Sequence, residues 1–130
     1  MTKQAAGGSQ PAGAYSPGIV AEGRFVYVSG QGSLRDGQVV GDTIEEQTQI
    51  VLANVTAVLE SAGAGLADVV QCRVFLADTA DFRAMDGVYA QVFPAPLPAR
   101  TTVGVALPLP GMLVEIDCVA VLPATSSGQP

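Results

Sequence analysis

The stretch Asp42–Asp78, DTIEEQTQIVLANVTAVLESAGAGLADVVQCRVFLAD, changes its hydrophobic period once, and that change decides the fold class. In the first half Ile44, Thr48, Val51, Val55, Val58 or Leu59, and Ala62 recur every three or four residues, which lines one face of an α-helix. Thr43 followed by Glu46 is the capping-box pattern, and Gly63 suits the position just past the helix end. In the second half the pattern alternates: Val70, Cys72, Val74 and Leu76 point one way, Val69, Gln71, Arg73 and Phe75 the other. That is a strand.

Outward from this unit the same two periods recur. Upstream, RFVYVSGQG (24–32) has the aromatics and valines of a strand stopped by glycine, and LRDGQVV holds an Asp36-Gly37 hairpin turn. Downstream, Phe82, Met85, Tyr89 and Val92 mark a second helix, with Asp78 or Thr79 as its cap, weakened by Gly87 and ended by Pro94, Pro96 and Pro98. TTVGVALP and MLVEIDCVAVL then read as two strands joined by a Pro-Gly turn. On the last strand Val114, Ile116, Cys118, Ala120 and Leu122 form one face, and Leu113, Glu115, Asp117, Val119 and Val121 a mixed one. The order ββ(β)αβαββ predicts an α+β fold: a mixed sheet with two helices packed on one face. The half-apolar second face predicts self-association. Residues 1–13 and 123–130, rich in Gly, Ser, Pro, Gln and Ala, read as a flexible leader and tail around one domain at 14–122.

Composition removes several kinds of chemistry. The chain has no histidine, which excludes Ser-His-Asp and Cys-His catalysis and His-based zinc sites. Its one lysine, Lys3, sits in the leader, a poor place for a Schiff base, and no GxGxxG or Walker sequence supports a nucleotide cofactor. Net charge is −6 and the basic residues Lys3, Arg24, Arg35, Arg73, Arg83 and Arg100 are scattered, so nucleic acid is not expected as a partner. Cys72 and Cys118 lie within strands as small reduced hydrophobes. Apolar runs are too short for a membrane span and no secretory signal is visible, so the expected place is the cytoplasm.

The remaining candidates are few. In PARTTV (98–103) the prolines hold the chain extended before Arg100, and a fixed guanidinium either grips a carboxylate through two parallel hydrogen bonds or forms a structural ion pair. Glu115, between Val114 and Ile116, either meets solvent or is an acid/base group. Tyr15-Ser16 offers hydroxyls or simply packs in a turn. Ser29–Gly32 offers backbone N–H groups or is only a tight bend.

In order and spacing, AYSPGI, VYVSGQ, the long central stretch, DFRAMDGVYAQVF, PARTTVGVALP and LVEIDCVAV resemble the motifs of the Rid (YjgF) family over about residues 13–122. The resemblance implies a chorismate-mutase-like α+β fold, a homotrimer with a ligand cleft at each subunit interface, and no metal or organic cofactor. It implies hydrolysis of enamine/imine intermediates of the 2-aminoacrylate type to a 2-keto acid and ammonia. By motif, Arg100 would bind the substrate carboxylate, Tyr15 would flank the cleft, Gly30 and Thr102 would offer backbone groups, and Glu115 would orient or activate water. The alternative on the same pocket is a non-catalytic trimer that binds keto or amino acids. Three positions depart from the family's usual pattern: Pro17, Thr102 and Asp86, the last where asparagine is frequent. A negative charge at Asp86 near the cleft would disfavour simple amino-acid-derived imines or select another ligand.

Overall fold

The computed structural model describes residues 2–124. Helix α1 spans Ile44–Ser61 and is closed at both ends by its own sequence. The Thr43 hydroxyl accepts a hydrogen bond from the Glu46 N–H at 3.1 Å, and Glu46 Oε1 accepts from the Thr43 and Asp42 N–H groups at 3.1 Å. These bonds hold the Glu46 carboxyl below its ordinary pKa. At the far end Gly63 takes φ +81°, which lets Gly63 N–H reach the Glu60 carbonyl and Ala64 N–H the Leu59 carbonyl. This is the Schellman arrangement. Between the caps, Ile44, Thr48, Val51, Leu52, Val55 and Leu59 face the core, and each fully buried Leu or Val contributes roughly 1.5–3 kcal/mol of transfer free energy.

The strands are β1 (Lys3–Ala6), β2 (Gly18–Ala21), β3 (Arg24–Gly32), β4 (Leu34–Arg35), β5 (Gln38–Val39), β6 (Val69–Leu76), β7 (Ala99–Gly104) and β8 (Val114–Leu122); helix α2 is Phe82–Val92. The main sheet has the order β3-β8-β6-β7. It is mixed: β8 runs antiparallel to both neighbours, and β7 is a parallel edge strand beside β6. Both helices cover one face, α1 across β3 and β8 with α2 beside it. Val74, Leu76, Val114, Ile116 and Ala120 are sealed beneath them. β4 and β5 form the hairpin expected at Asp36-Gly37, both with positive φ (51° and 78°), the geometry of a type I′ turn.

Four local readings change. The leader is not loose throughout: Lys3–Ala6 pairs antiparallel with β2, and Lys3 Nζ donates to the Ala67 carbonyl at 3.3 Å. The strand at 24–32 stands, but Ser29–Gly32 is part of β3 and not a turn after it. The strand continues to Gly32 through a β-bulge between Val28 and Gln31, where Ser29 and Gly30 together oppose one residue of β8. A second irregularity, between Val69 and Gln71 of β6, turns Val69 rather than Val70 into the core with Cys72. Asp78 caps a short 3₁₀ turn, Thr79–Asp81, that leads into α2, not α2 itself. Of the expected tail, residues 125–130 lie outside the described residues.

The other face of the sheet is uncovered in the protomer. It exposes Phe25, Tyr27 (76% exposed) and Val103, with the Phe25 and Tyr27 rings 6.4 Å apart. Across its middle, Arg73 grips Asp117 on the neighbouring strand through two nitrogens at 2.6 and 3.1 Å.

Candidate functional site

Register puts Arg100 on the helix side of the sheet. On β7 it is the partner of Cys72 of β6, which is fully buried, and residues directly opposite in a ladder share a face. Its side chain is 1% exposed. Three rings surround the guanidinium, with its carbon 4.7 Å from the Tyr89 centroid, 5.0 Å from Tyr15 and 5.5 Å from Phe82. Tyr89 and Phe82 come from α2 at helical spacing, and Tyr15 comes from the segment entering β2. The Arg100 charge is met by Asp86, also on α2: Nη1 lies 2.8 Å from Asp86 Oδ1 and donates at 3.4 Å to the Ala14 carbonyl.

Only one edge of the guanidinium is used. Among the described residues Nε and Nη2, the parallel pair of N–H groups that matches a carboxylate, are buried without a hydrogen-bond partner. Two more buried polar atoms on this side, Thr102 Oγ1 and the Tyr89 hydroxyl, likewise have none among the described residues. An unsatisfied buried donor costs about 1–3 kcal/mol, more when charged, so a cluster of them makes this side of the sheet a candidate site. Burial pushes the Tyr89 hydroxyl far above its ordinary pKa, and pushes the facing Cys72 thiol up to about 12. Neither ionises near neutral pH. Cys118, likewise raised to about 12 by burial, is equally inert.

The segment Gly13–Ser16 lies over Arg100 as a strap. Ala14 N–H donates to Asp86 Oδ1 at 2.9 Å, the Tyr15 hydroxyl accepts from Ala12 N–H at 3.0 Å, and Ser16 N–H donates to the Pro98 carbonyl at 3.0 Å beside the start of β7. A Cβ at position 13 would stand 2.9 Å from Asp86 Oδ1 and 3.1 Å from Arg100 Nη2, so the strap sits directly on both charges.

Glu115 is elsewhere. It lies on the uncovered face of β8, opposite Gly32 and Phe75, with its carboxylate against the bulge of β3. A Cβ on Gly30 would come within 2.2 Å of Glu115 Oε2, so only glycine leaves that carboxylate its place. Beside the bulge, Tyr27, Ser29, Gly30, Gln71, Arg73 and Asp117 line a hollow of about 600 Å³. The expected residues therefore form two groups. Arg100, Asp86 and Tyr15 are in contact on the helix side, with Thr102 on the same face of β7, and Gly30 and Glu115 are in contact on the open side. From the register, Arg100 and Glu115 are two strands and three residues apart on opposite faces, about 14 Å between backbones. One small molecule does not span them within a protomer.

The residues not singled out beforehand are Gly13 and Ala14 of the strap and the two α2 aromatics. Phe82 and Tyr89 were visible only as an apolar helical stripe, and nothing in the sequence tied 13–14 to Arg100.

Fold and site together define an α+β protein with a half-paired arginine under an edge strand and a carboxylate on the uncovered face of its sheet. The family profile described as Endoribonuclease L-PSP matches residues 7–122, and the chain belongs to that family, the Rid or YjgF family. It is 42% identical over 113 residues to the chloroplastic Reactive Intermediate Deaminase A of Arabidopsis thaliana, covering 85% of this chain and 59% of that one. To the 2-iminobutanoate/2-iminopropanoate deaminase of Dermatophagoides farinae it is 37% identical over 115 residues, 87% of this chain and 89% of the other. The crystal structure of a Rid-family protein of unknown function, YyfB from Yersinia pestis, superposes with a TM-score of 0.85 at 31% identity, covering 94% of this chain and all of that one. Among the described residues no helix is long and apolar enough to cross a membrane.

Proposed function

We propose that the protein hydrolyses enamine/imine intermediates of the 2-aminoacrylate type to a 2-keto acid and ammonia, in a cleft between subunits of a homotrimer. The observation that carries this reading is the Nε–Nη2 edge of Arg100, a buried fork that matches a carboxylate and takes no hydrogen-bond partner among the described residues. In this reading the fork takes the substrate carboxylate, the Tyr15 ring walls one side, and Glu115 of a neighbouring protomer orients the attacking water. The separation of Arg100 and Glu115 within one chain supports a shared site, because only a second copy brings the two groups to one molecule. Water adds to the C=N carbon of the imine tautomer, giving a carbinolamine that expels ammonia and leaves the keto acid. The imine is already electrophilic, so positioning and one acid/base contact are enough, each contributing several orders of magnitude or fewer. We place the reaction in the cytoplasm; among the relatives two are named as mitochondrial and one as chloroplastic.

The test generates 2-aminoacrylate with a dehydratase in the presence of semicarbazide and follows the split between trapping and keto-acid release. Wild type is expected to accelerate release, and Arg100→Ala to lose that acceleration. Equal acceleration by both would overturn the reading.

A second reading is favoured by the closure of the pocket and by Asp86, which already holds Nη1: a ligand-binding protein without turnover. It predicts Arg100-dependent binding of keto or amino acids and no acceleration of release. The family description names an endoribonuclease, but here Arg100 is buried and Arg73 is paired to Asp117 in a chain of net charge −6, which leaves little to hold a phosphate backbone.

A further inference from the structure

We infer that Asp86 selects the charge of the ligand: it makes the Arg100 pocket favour compounds that carry a cationic nitrogen beside their carboxylate, protonated imines and amino acids, over the keto acid product. This rests on the proposed grip of a carboxylate by Arg100. The geometry is specific. Asp86 Oδ1 touches Nη1 at 2.8 Å, and the strap at Gly13 packs against both Oδ1 and Nη2. A carboxylate on the Nε–Nη2 edge therefore binds a guanidinium whose third nitrogen is already paired with the Asp86 charge. Oδ1 already serves Nη1 and the Ala14 N–H, whereas Oδ2 accepts no hydrogen bond among the described residues.

Charge counting gives the selectivity. Arg100 and Asp86 together are neutral, the guanidinium buried and the carboxylate 22% exposed. A zwitterion adds no net charge: its carboxylate takes Nε and Nη2, and its N–H⁺ faces the Asp86 carboxylate. A keto acid adds one uncompensated negative charge beside Asp86, and a buried charge without a partner is strongly disfavoured. The sequence alone left Asp86 either disfavouring simple amino-acid-derived imines or selecting another ligand. Its pairing with Arg100 favours the protonated imine, the form that water attacks. Hydrolysis exchanges this cation for a neutral carbonyl, so the same carboxylate that welcomes the substrate expels the product.

The experiment is calorimetric titration of the full-length protein with alanine and with pyruvate, the amino acid and keto acid on the three-carbon skeleton, using wild type, Asp86→Asn and Arg100→Ala. Asparagine keeps the shape and the carbonyl that accepts from Ala14 N–H, so folding is expected to survive. Wild type is expected to bind alanine on the order of tenfold more tightly than pyruvate, and Asp86→Asn to shift that ratio toward pyruvate by on the order of tenfold or more. Pyruvate binding wild type as tightly as alanine overturns the inference even if the variant does not fold. So does an unchanged ratio in Asp86→Asn. In both cases, loss of binding in Arg100→Ala leaves the carboxylate grip standing. Binding of both ligands that persists unchanged in Arg100→Ala, or no binding by wild type, sinks the grip and this inference together.

Discussion

At the scale of the residue, Arg100 is held on one edge and open on the other. A lysine cannot divide its contacts in this way: its ammonium is a single point of charge, whereas the guanidinium spends Nη1 on Asp86 and keeps a parallel pair free. Arg100→Lys is therefore expected to lower kcat/KM for imine hydrolysis by about 10–100-fold, the loss of one or two charge-assisted hydrogen bonds, with little change in fold. Gly30→Ala is expected to displace the Glu115 carboxylate by ångströms, because no space exists for a methyl group at 2.2 Å, and to reduce kcat by about 10²-fold with a smaller change in KM. Steady-state kinetics on both variants check this, and a Gly30→Ala protein with wild-type kcat would detach Glu115 from the chemistry. Much of this was legible in the sequence. PARTTV and VEI marked Arg100 and Glu115, and composition had already emptied the field of His and Lys. Asp86 as the partner of Arg100 was not legible, because thirteen intervening residues and a helix-to-sheet contact separate them. The strap at Gly13–Ala14 was hidden in a segment whose composition gives only a loop.

At the scale of the element, α1 is the part most fully written in local sequence. Its cap, stripe and terminator are each set by residues within one or two turns, so reading and structure agree to the residue at both caps. Thr43→Ala is expected to destabilise the protein by about 1 kcal/mol in denaturant melts. Glu46 has a lowered folded pKa, so its contribution is present above the unfolded carboxyl range and is lost as pH falls through the folded value. Thr43→Ala removes one of the causes of that shift, so its acid-unfolding curve is expected to be flatter than that of wild type at low pH. Elsewhere tertiary contacts overrule local pattern. Gln47 sits in the helix yet is buried, where its Nε2 donates to the Gly41 and Gly111 carbonyls at 3.0 and 2.8 Å and its Oε1 accepts from Leu113 N–H at 2.8 Å. Gln47→Leu strands those three groups and is expected to cost about 3 kcal/mol, measured in the same melts. The bulge at Ser29–Gly30 and the strand at Lys3–Ala6 were missed for the same kind of reason. A bulge is a mismatch of register with a distant strand, and Lys-Gln-Ala-Ala has little strand propensity of its own.

At the scale of the molecule, the sheet has one sealed face and one bare one. Phe25, Tyr27 and Val103 stand in water in the protomer, and the group that would activate water stands on the same side as they do. The half-apolar alternation of β8 foretold this face, but a single chain does not say what covers it. If three copies close over it, light scattering gives three times the 13.2 kDa protomer mass, and Tyr27→Asp, a charge at a position 76% exposed in the protomer, weakens that assembly and the activity together. A monomeric wild type with full activity would separate catalysis from assembly. Beneath these expectations lies the free edge of Arg100, and nuclear magnetic resonance observes it directly through the arginine Nε–H signals. Titration with alanine and with pyruvate is expected to move the Arg100 Nε–H resonance, assigned by its loss in Arg100→Lys, while that of Arg73, held by Asp117, stays in place. An Arg100 signal unmoved by either compound, under conditions where wild type accelerates imine hydrolysis, would contradict the account.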